Sequence, residues 1–200
     1  LIQRTLNYIN KTKVNFINSE IPKVIMHPGG GHQRKKLVNL DNLSNFLKYL
    51  RKDNVEFLLE NLPPYPWYYG GTWVSNVFVD EDEIIDFCKN NNINICLDIS
   101  HSGLACKFLE KKLTNYIEKL LPYVKHIHIA DFKGTTIEGV QIDEGEINFY
   151  EVFEVLSQIK DKNICVIPEI WYQHRRGYKE MYIGLDKLEK YINWIEKNNE

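Results

Sequence analysis

Short β-branched and apolar runs recur along the chain, at Val24–His27, Val55–Glu60, Ile93–Asp98, Val124–Ile129 and Ile164–Ile170. Between them lie stretches whose apolar residues return at helical spacing. Leu40, Leu43, Phe46, Leu47 and Leu50 form one stripe, and Ile84, Ile85, Phe87 and Cys88 begin a second. Leu109, Leu113, Tyr116, Ile117, Leu120 and Leu121 form a third, and Phe149, Val152, Phe153, Val155 and Leu156 a fourth. Leu185, Leu188, Ile192 and Ile195 form the last, and Leu1, Leu6, Ile9 and Val14 suggest that the sequence opens inside another helix. Asp41, Asp80 and Asn148 precede or open three of the stripes as helix-start signals. Strands alternating with amphipathic helices predict βα units and a parallel sheet in a single α/β domain over residues 1–200.

The longest irregular segment is 61–79, with LPPYPWYYGGTW at its heart; a long aromatic loop in such a domain is expected to serve function. The same aromatics would suit stacking on a sugar face or simply covering a barrel mouth. The acidic run from Asp80 to Glu83 reads as a charged helix start that complements the helix dipole.

Each predicted strand ends in a residue able to bind a metal or move a proton: His27, Glu60, Asp98, His128 and Glu169. Side chains alternate across a strand, so Asp98 shares a face with Cys96, Glu169 with Cys165 and His128 with His126. In a (β/α) barrel that face is the interior, and active sites lie at its C-terminal mouth. One such residue alone would be read as a turn former, a helix cap or a core side chain. Five in register, 33, 38, 30 and 41 residues apart, predict a shared site. His126 lies one layer deeper, and His32 and His174 fall in loops. Carboxylates and imidazoles without thiolates favour Mn²⁺, Zn²⁺, Co²⁺, Mg²⁺ or Fe²⁺ and leave open coordination positions for substrate oxygens.

Composition narrows the field. With 25 basic and 27 acidic residues the formal charge is −2, which disfavours a protein that works by coating nucleic-acid phosphates. The cations offered for such a role are Lys133, Arg175, Arg176 and the cluster Arg34–Lys36. No apolar run is long enough for a membrane helix. The four cysteines show no CxxC pairing and read as reduced thiols of a cytoplasmic protein. Neither a P-loop, a GxSxG elbow nor a GxGxxG fingerprint is present.

These motifs resemble the xylose isomerase-like TIM barrel superfamily, which includes sugar-phosphate isomerases and epimerases and the endonuclease IV family. The resemblance rests on HPG at His27–Gly29, LEN at Leu59–Asn61, LDxxH at Leu97–His101, HxxD at His128–Asp131 and PE at Pro168–Glu169. It spans the chain but matches only the last five βα units of eight, so an incomplete TIM barrel with its N-terminal units missing is expected; either the sequence is part of a longer protein or its open edges call for a partner, which leaves a homo-oligomer open. It implies that Glu60, Asp98, His128 and Glu169 hold one divalent metal, Mn²⁺, Zn²⁺, Co²⁺ or Mg²⁺. Glu60 and Glu169 would double as acid and base on a carbohydrate substrate, with His27, Asn61, His101 and Asp131 contacting it. His27, or His101 in the endonuclease branch, leaves a second metal open. The implied activity is a sugar or sugar-phosphate isomerase or epimerase working through an enediolate. The alternatives are phosphodiester hydrolysis at abasic DNA and a non-catalytic truncated barrel. The segment GVQIDEGEINF departs from the family's G-x-G turn, with Asp143 at the first glycine and no histidine nearby, which counts against the hydrolase.

Overall fold

The computed structural model describes residues 21–29, 36–50, 55–68, 71–159 and 164–198. The opening helix expected around Leu1–Val14, along with His32, Arg34 and Lys35, lies outside the described residues.

The elements in chain order are β1 (Lys23–Met26), α1 (Lys36–Leu50), β2 (Glu56–Glu60), β3 (Trp67–Tyr68), β4 (Gly71–Thr72), α2 (Glu81–Asn91) and β5 (Asn94–Asp98). Then follow α3 (Ile99–Leu109), α4 (Leu113–Leu120), β6 (Val124–Ile129), β7 (Asp131–Lys133), β8 (Ile137–Val140), α5 (Phe149–Leu156), β9 (Cys165–Pro168) and α6 (Lys179–Asn198). One parallel sheet in the order β1-β2-β5-β6-β9 carries the five predicted strands. This is the parallel half of a barrel, and among the described residues no strand joins β9 to β1.

Alternation sorts the strand side chains. Phe57, Leu59, Ile95, Leu97, Ile127 and Ile129 turn outward into a core shared with Ile84 and Phe87 of α2, Tyr116 and Ile117 of α4, and Phe149 and Val152 of α5. Each such side chain, once sealed from water, contributes about 2 kcal/mol against the entropy of ordering. Glu60, Asp98 and His128 fall on the opposite, inner face. Between β5 and β6 the register slips, Ile95 pairing with Val124 but Cys96 with His126. The extra residue, Lys125, is a bulge that lets Val124 join the outer core while His126 and His128 still face inward.

Three local readings need correction. Asp41 lies inside α1, which starts at Lys36, and so does not cap it. Asn148 occupies the N-cap position of α5, but its amide bonds Glu151 rather than the helix backbone. The long aromatic segment contains the small antiparallel hairpin β3–β4, and its Tyr65 packs edge-on against Phe108. Asp80 does cap α2, accepting from the amides of Asp82 and Glu83. The acidic run does more than balance a dipole, because Glu81 is buried and bonds Lys111 at 2.6 Å and Lys119 at 3.0 Å.

Candidate metal centre

Glu60 closes β2, Asp98 closes β5, His128 lies one residue from the end of β6, and Glu169 follows β9 with its amide still bonded to the Ile129 carbonyl. One ligand atom from each of these four side chains lies within 4.8 Å of the other three. Nδ1 of His128 is 3.0 Å from Oε1 of Glu60 and 2.6 Å from Oε2 of Glu169. Glu60 and Asp98 are buried, whereas the Glu169 side chain is 51% exposed at the open edge of the sheet. His27 stands just past β1 and reaches the same cluster, its Nε2 3.2 Å from Oε2 of Glu60.

Behind the donors lies a shell of fixed hydrogen bonds. Asn61 is fully buried; its Oδ1 accepts from the Asp98 amide at 2.7 Å, and its Nδ2 donates to the Asp98 carbonyl at 3.0 Å and to Ser102 Oγ at 3.1 Å. Asp98 also caps α3, accepting from the His101 amide at 2.6 Å. The cap turns His101 inward, with Nδ1 2.9 Å from the Asn61 carbonyl and Nε2 3.0 Å from Oε2 of Glu138. Nδ1 thus faces the Asn61 carbonyl as its acceptor, while Nε2 stands within ion-pair distance of Glu138, whose Oε2 has no hydrogen-bond partner among the described residues.

The electrostatics match that wiring. Burial alone would raise the Glu60 carboxyl, but hydrogen bonds from His128 and His27 and the charges of His101 and His128 hold it well below the usual carboxylate range. Asp98 is pushed up to about 7 by burial, with Glu60 and Glu169 adding to the shift against the pull of His101. His101 rises to about 10 despite burial, because Asp98, Glu138 and Glu60 face it. His128 rises far above the ordinary imidazole value; contacts with Cys96, Glu169 and Glu60 outweigh its burial. The raised proton affinities of His128 and Asp98 thus follow from the crowding of carboxylates around them. A divalent cation would neutralise those carboxylates with an all-oxygen and nitrogen donor set, releasing bound protons.

Other predicted site residues are engaged elsewhere. Asp131 is fully buried, and its carboxylate accepts from the amides of Phe132, Gly145, Glu146 and Ile147. It ties down the loop before α5. Every polar atom of the Asn61 side chain is likewise committed, which makes Asn61 a positioning residue. Asp143 pairs with the Tyr191 hydroxyl of α6. Lys36 pairs with Glu83, Arg175 lies over the Tyr172 ring, and His174 is exposed.

Two residues near the centre were not foreseen as parts of it. Glu138 arrives on the β7–β8 hairpin, which has no strand signal of its own; Gly139 beside it takes φ +66° and leaves room for the Trp171 ring. Cys96 lies on the inner face close to His126 and His128, so a thiol does adjoin the site.

A family model described as xylose isomerase-like TIM barrel matches residues 2–197. The chain belongs to the xylose isomerase-like TIM barrel family. Among curated proteins it is 28% identical over 153 residues to the uncharacterized protein MJ1311 of Methanocaldococcus jannaschii, covering 72% of this chain and 48% of that protein. A second relative from the same organism, the uncharacterized protein MJ0133, is 27% identical over 188 residues, covering 86% of this chain and 66% of that protein. The chain thus spans about half the length of one relative and two thirds of the other.

Among solved structures, a D-tagatose 3-epimerase-like protein superposes with TM-score 0.66 at 20% identity, over 97% of this chain and 73% of its own. D-Psicose 3-epimerase from Clostridium cellulolyticum H10 gives 0.57 at 16% identity, over 91% and 66%. The probable 3-DHS dehydratase AsbF from Bacillus anthracis gives 0.62 at 12% identity, over 93% and 67%. At these identities the likeness establishes the xylose isomerase-like fold. Among the described residues, no helix is long and apolar enough to cross a membrane.

Proposed function

We propose that this family member is a divalent-metal-dependent sugar or sugar-phosphate isomerase or epimerase that transfers a proton through an enediolate. The observation that carries the reading is the convergence of Glu60, Asp98, His128 and Glu169 at the C-terminal ends of four neighbouring strands, with donor atoms within 4.8 Å. The sugar epimerases among the structures of like fold are consistent with it.

These four side chains would hold the ion. A divalent cation held there would supply polarisation of a carbonyl and an adjacent hydroxyl, and so acidify the C–H between them. Glu60 and Glu169 are the pair that removes a proton from that carbon and returns one. Glu60 suits the work because His128 and His27 keep it ionised, and Glu169 because it is half exposed where a ligand would enter. His101, fixed between the Asn61 carbonyl and Glu138, presents positive charge beside the developing oxyanion. Asn61 and Ser102 hold the start of α3, and with it Asp98, in place.

The test combines elemental mass spectrometry of the purified chain with solvent-deuterium incorporation into a panel of ketoses and ketose phosphates. The expected result is about one Mn per chain after loading with Mn²⁺, lost in Glu60→Ala, and deuterium exchange abolished by Glu169→Gln. A folded chain that takes up no metal from Mn²⁺, or a Glu169→Gln variant with unchanged exchange, would overturn the proposal.

A further inference from the structure

Beneath the carboxylate cluster, on the same inner face, the strand register assembles a second donor set of different chemistry. Cys96 on β5 pairs with His126 on β6, and His126 pairs with Cys165 on β9. The three residues therefore form one row across adjoining strands, about 4.8 Å apart from strand to strand. Ligand atoms of Cys96, His126 and His128 already lie within 4.8 Å of one another. The Cys96 side chain is fully buried and that of His126 is 6% exposed. Nε2 of His126 is sealed from solvent and has no hydrogen-bond partner among the described residues. A buried ring nitrogen left unpaired costs about 1–3 kcal/mol, so its retention here asks for a ligand. Cys165, exposed and next in the row, stands where a fourth donor would come from.

We propose that Cys96, His126 and His128, completed by Cys165, form a site for a thiophilic divalent ion of the Zn²⁺ class, separate from the carboxylate centre but sharing His128 with it. Two sulfurs and two imidazole nitrogens are a tetrahedral zinc set. The set is scattered as Cys96, His126, His128 and Cys165, with no paired-cysteine spacing, because parallel register rather than a loop brings it together. Thiolate is the ligand form, so uptake of the ion releases the Cys96 proton. His128 links the two sites, and occupancy of one therefore alters affinity at the other.

Cobalt(II) is the probe, because thiolate ligation gives a sulfur-to-cobalt charge-transfer absorption that carboxylate ligation does not. Titration of the full chain is expected to develop that absorption. Cys96→Ser and Cys165→Ser should each roughly halve it, the double variant should abolish it, and His126→Gln should weaken cobalt binding at least tenfold. Circular dichroism of each variant confirms that it folds. Persistence of the band in Glu169→Gln supports the site independently of the function proposed above, whose own failure would appear as loss of carboxylate-bound metal with this band intact. Absence of the band in the wild-type chain at saturating cobalt, or a band of undiminished intensity in a folded Cys96→Ser variant, overturns the proposal.

Discussion

Replacing Asn61 with alanine isolates what holds the centre together. The side chain makes three hydrogen bonds: from the Asp98 amide at 2.7 Å, to the Asp98 carbonyl at 3.0 Å and to Ser102 Oγ at 3.1 Å. The Asp98 carbonyl keeps its bond from Ser102 Oγ at 2.6 Å, but the buried Asp98 amide loses its acceptor, Asn61 Oδ1. Three net bonds at about 1 kcal/mol each, with one donor left buried and unpaired, predict a loss of about 3 kcal/mol. With a urea slope of about 2 kcal/mol/M, that moves the unfolding midpoint down by about 1.5 M. Far-UV circular dichroism in urea reads it, in the chelator-treated chain so that metal does not contribute. Ser102→Ala run beside it should couple to Asn61→Ala by about 1 kcal/mol, since the two side chains bond each other directly. A cost below about 1 kcal/mol, or strict additivity with Ser102→Ala, would refute the claim that this network positions Asp98.

Glu81→Ala should cost about 2 kcal/mol in the same assay, because it removes a buried carboxylate bonded to Lys111 and Lys119; an unchanged midpoint would mean that the lysines make up the loss in water. Stability of the metal-free chain should fall as pH rises from about 6.5 towards 10, because folded His101 keeps its proton to about 10 while an unfolded imidazole releases it near 6.5. Glu138→Gln should reduce that slope, with the remainder expected from His128, whose imidazole is raised as well; an unchanged slope would place its origin elsewhere than His101. Gly139→Ala should lower the melting temperature by several degrees, since a side chain there meets both φ +66° and the Trp171 ring; an unchanged melt would show that Trp171 moves freely.

Much of the centre was legible because a strand has period two. Once Ile95, Leu97, Ile127 and Ile129 are taken as outward, Asp98 and His128 must face inward, and spacing then aligns Glu60 and Glu169 with them. What escaped has equally physical causes. Helix α3 is buried on almost every side, from Ile99 through Cys106, so it lacks the polar face that makes a helix visible in sequence. Glu138 reaches His101 from a hairpin that interrupts the βα rhythm, and its partner is 37 residues away, beyond any local pattern. Asp131 sits in a motif shared with the family, yet its oxygens are spent on four backbone amides, and no motif records where a side chain turns. Cys96 was visible on the inner face, but only the pairing of β5 with β6 shows how close its sulfur comes to the imidazoles.

Glu169 is the donor with the weakest support, and α6 decides where it stands. It follows β9, whose Ile167 is 39% exposed on the inner face, and among the described residues no strand pairs with the far side of β9. On the outer side, Gly184 of α6 is seated against β9 and the residues that follow it. A Cβ at Gly184 would lie 2.7 Å from Cδ1 of Ile170 and 3.2 Å from Cβ of Pro168, the two residues flanking Glu169. The Ile170 methyl can rotate away, but the Pro168 ring cannot, so the strain of Gly184→Ala falls on the backbone that carries Glu169. Helix propensity favours the alanine by about 1 kcal/mol, which should offset the strain and leave the melting temperature within a few degrees. Placement of a donor is far less forgiving than stability, and a shift approaching 1 Å can cost on the order of 100-fold in turnover. Gly184→Ala should therefore keep its fold, bind Mn²⁺ at least tenfold more weakly and lose exchange activity, a separation that titration and melting together can read. Equal loss of stability and affinity would mean that α6 merely supports the core, and that Glu169 is set by the β6–β9 ladder alone.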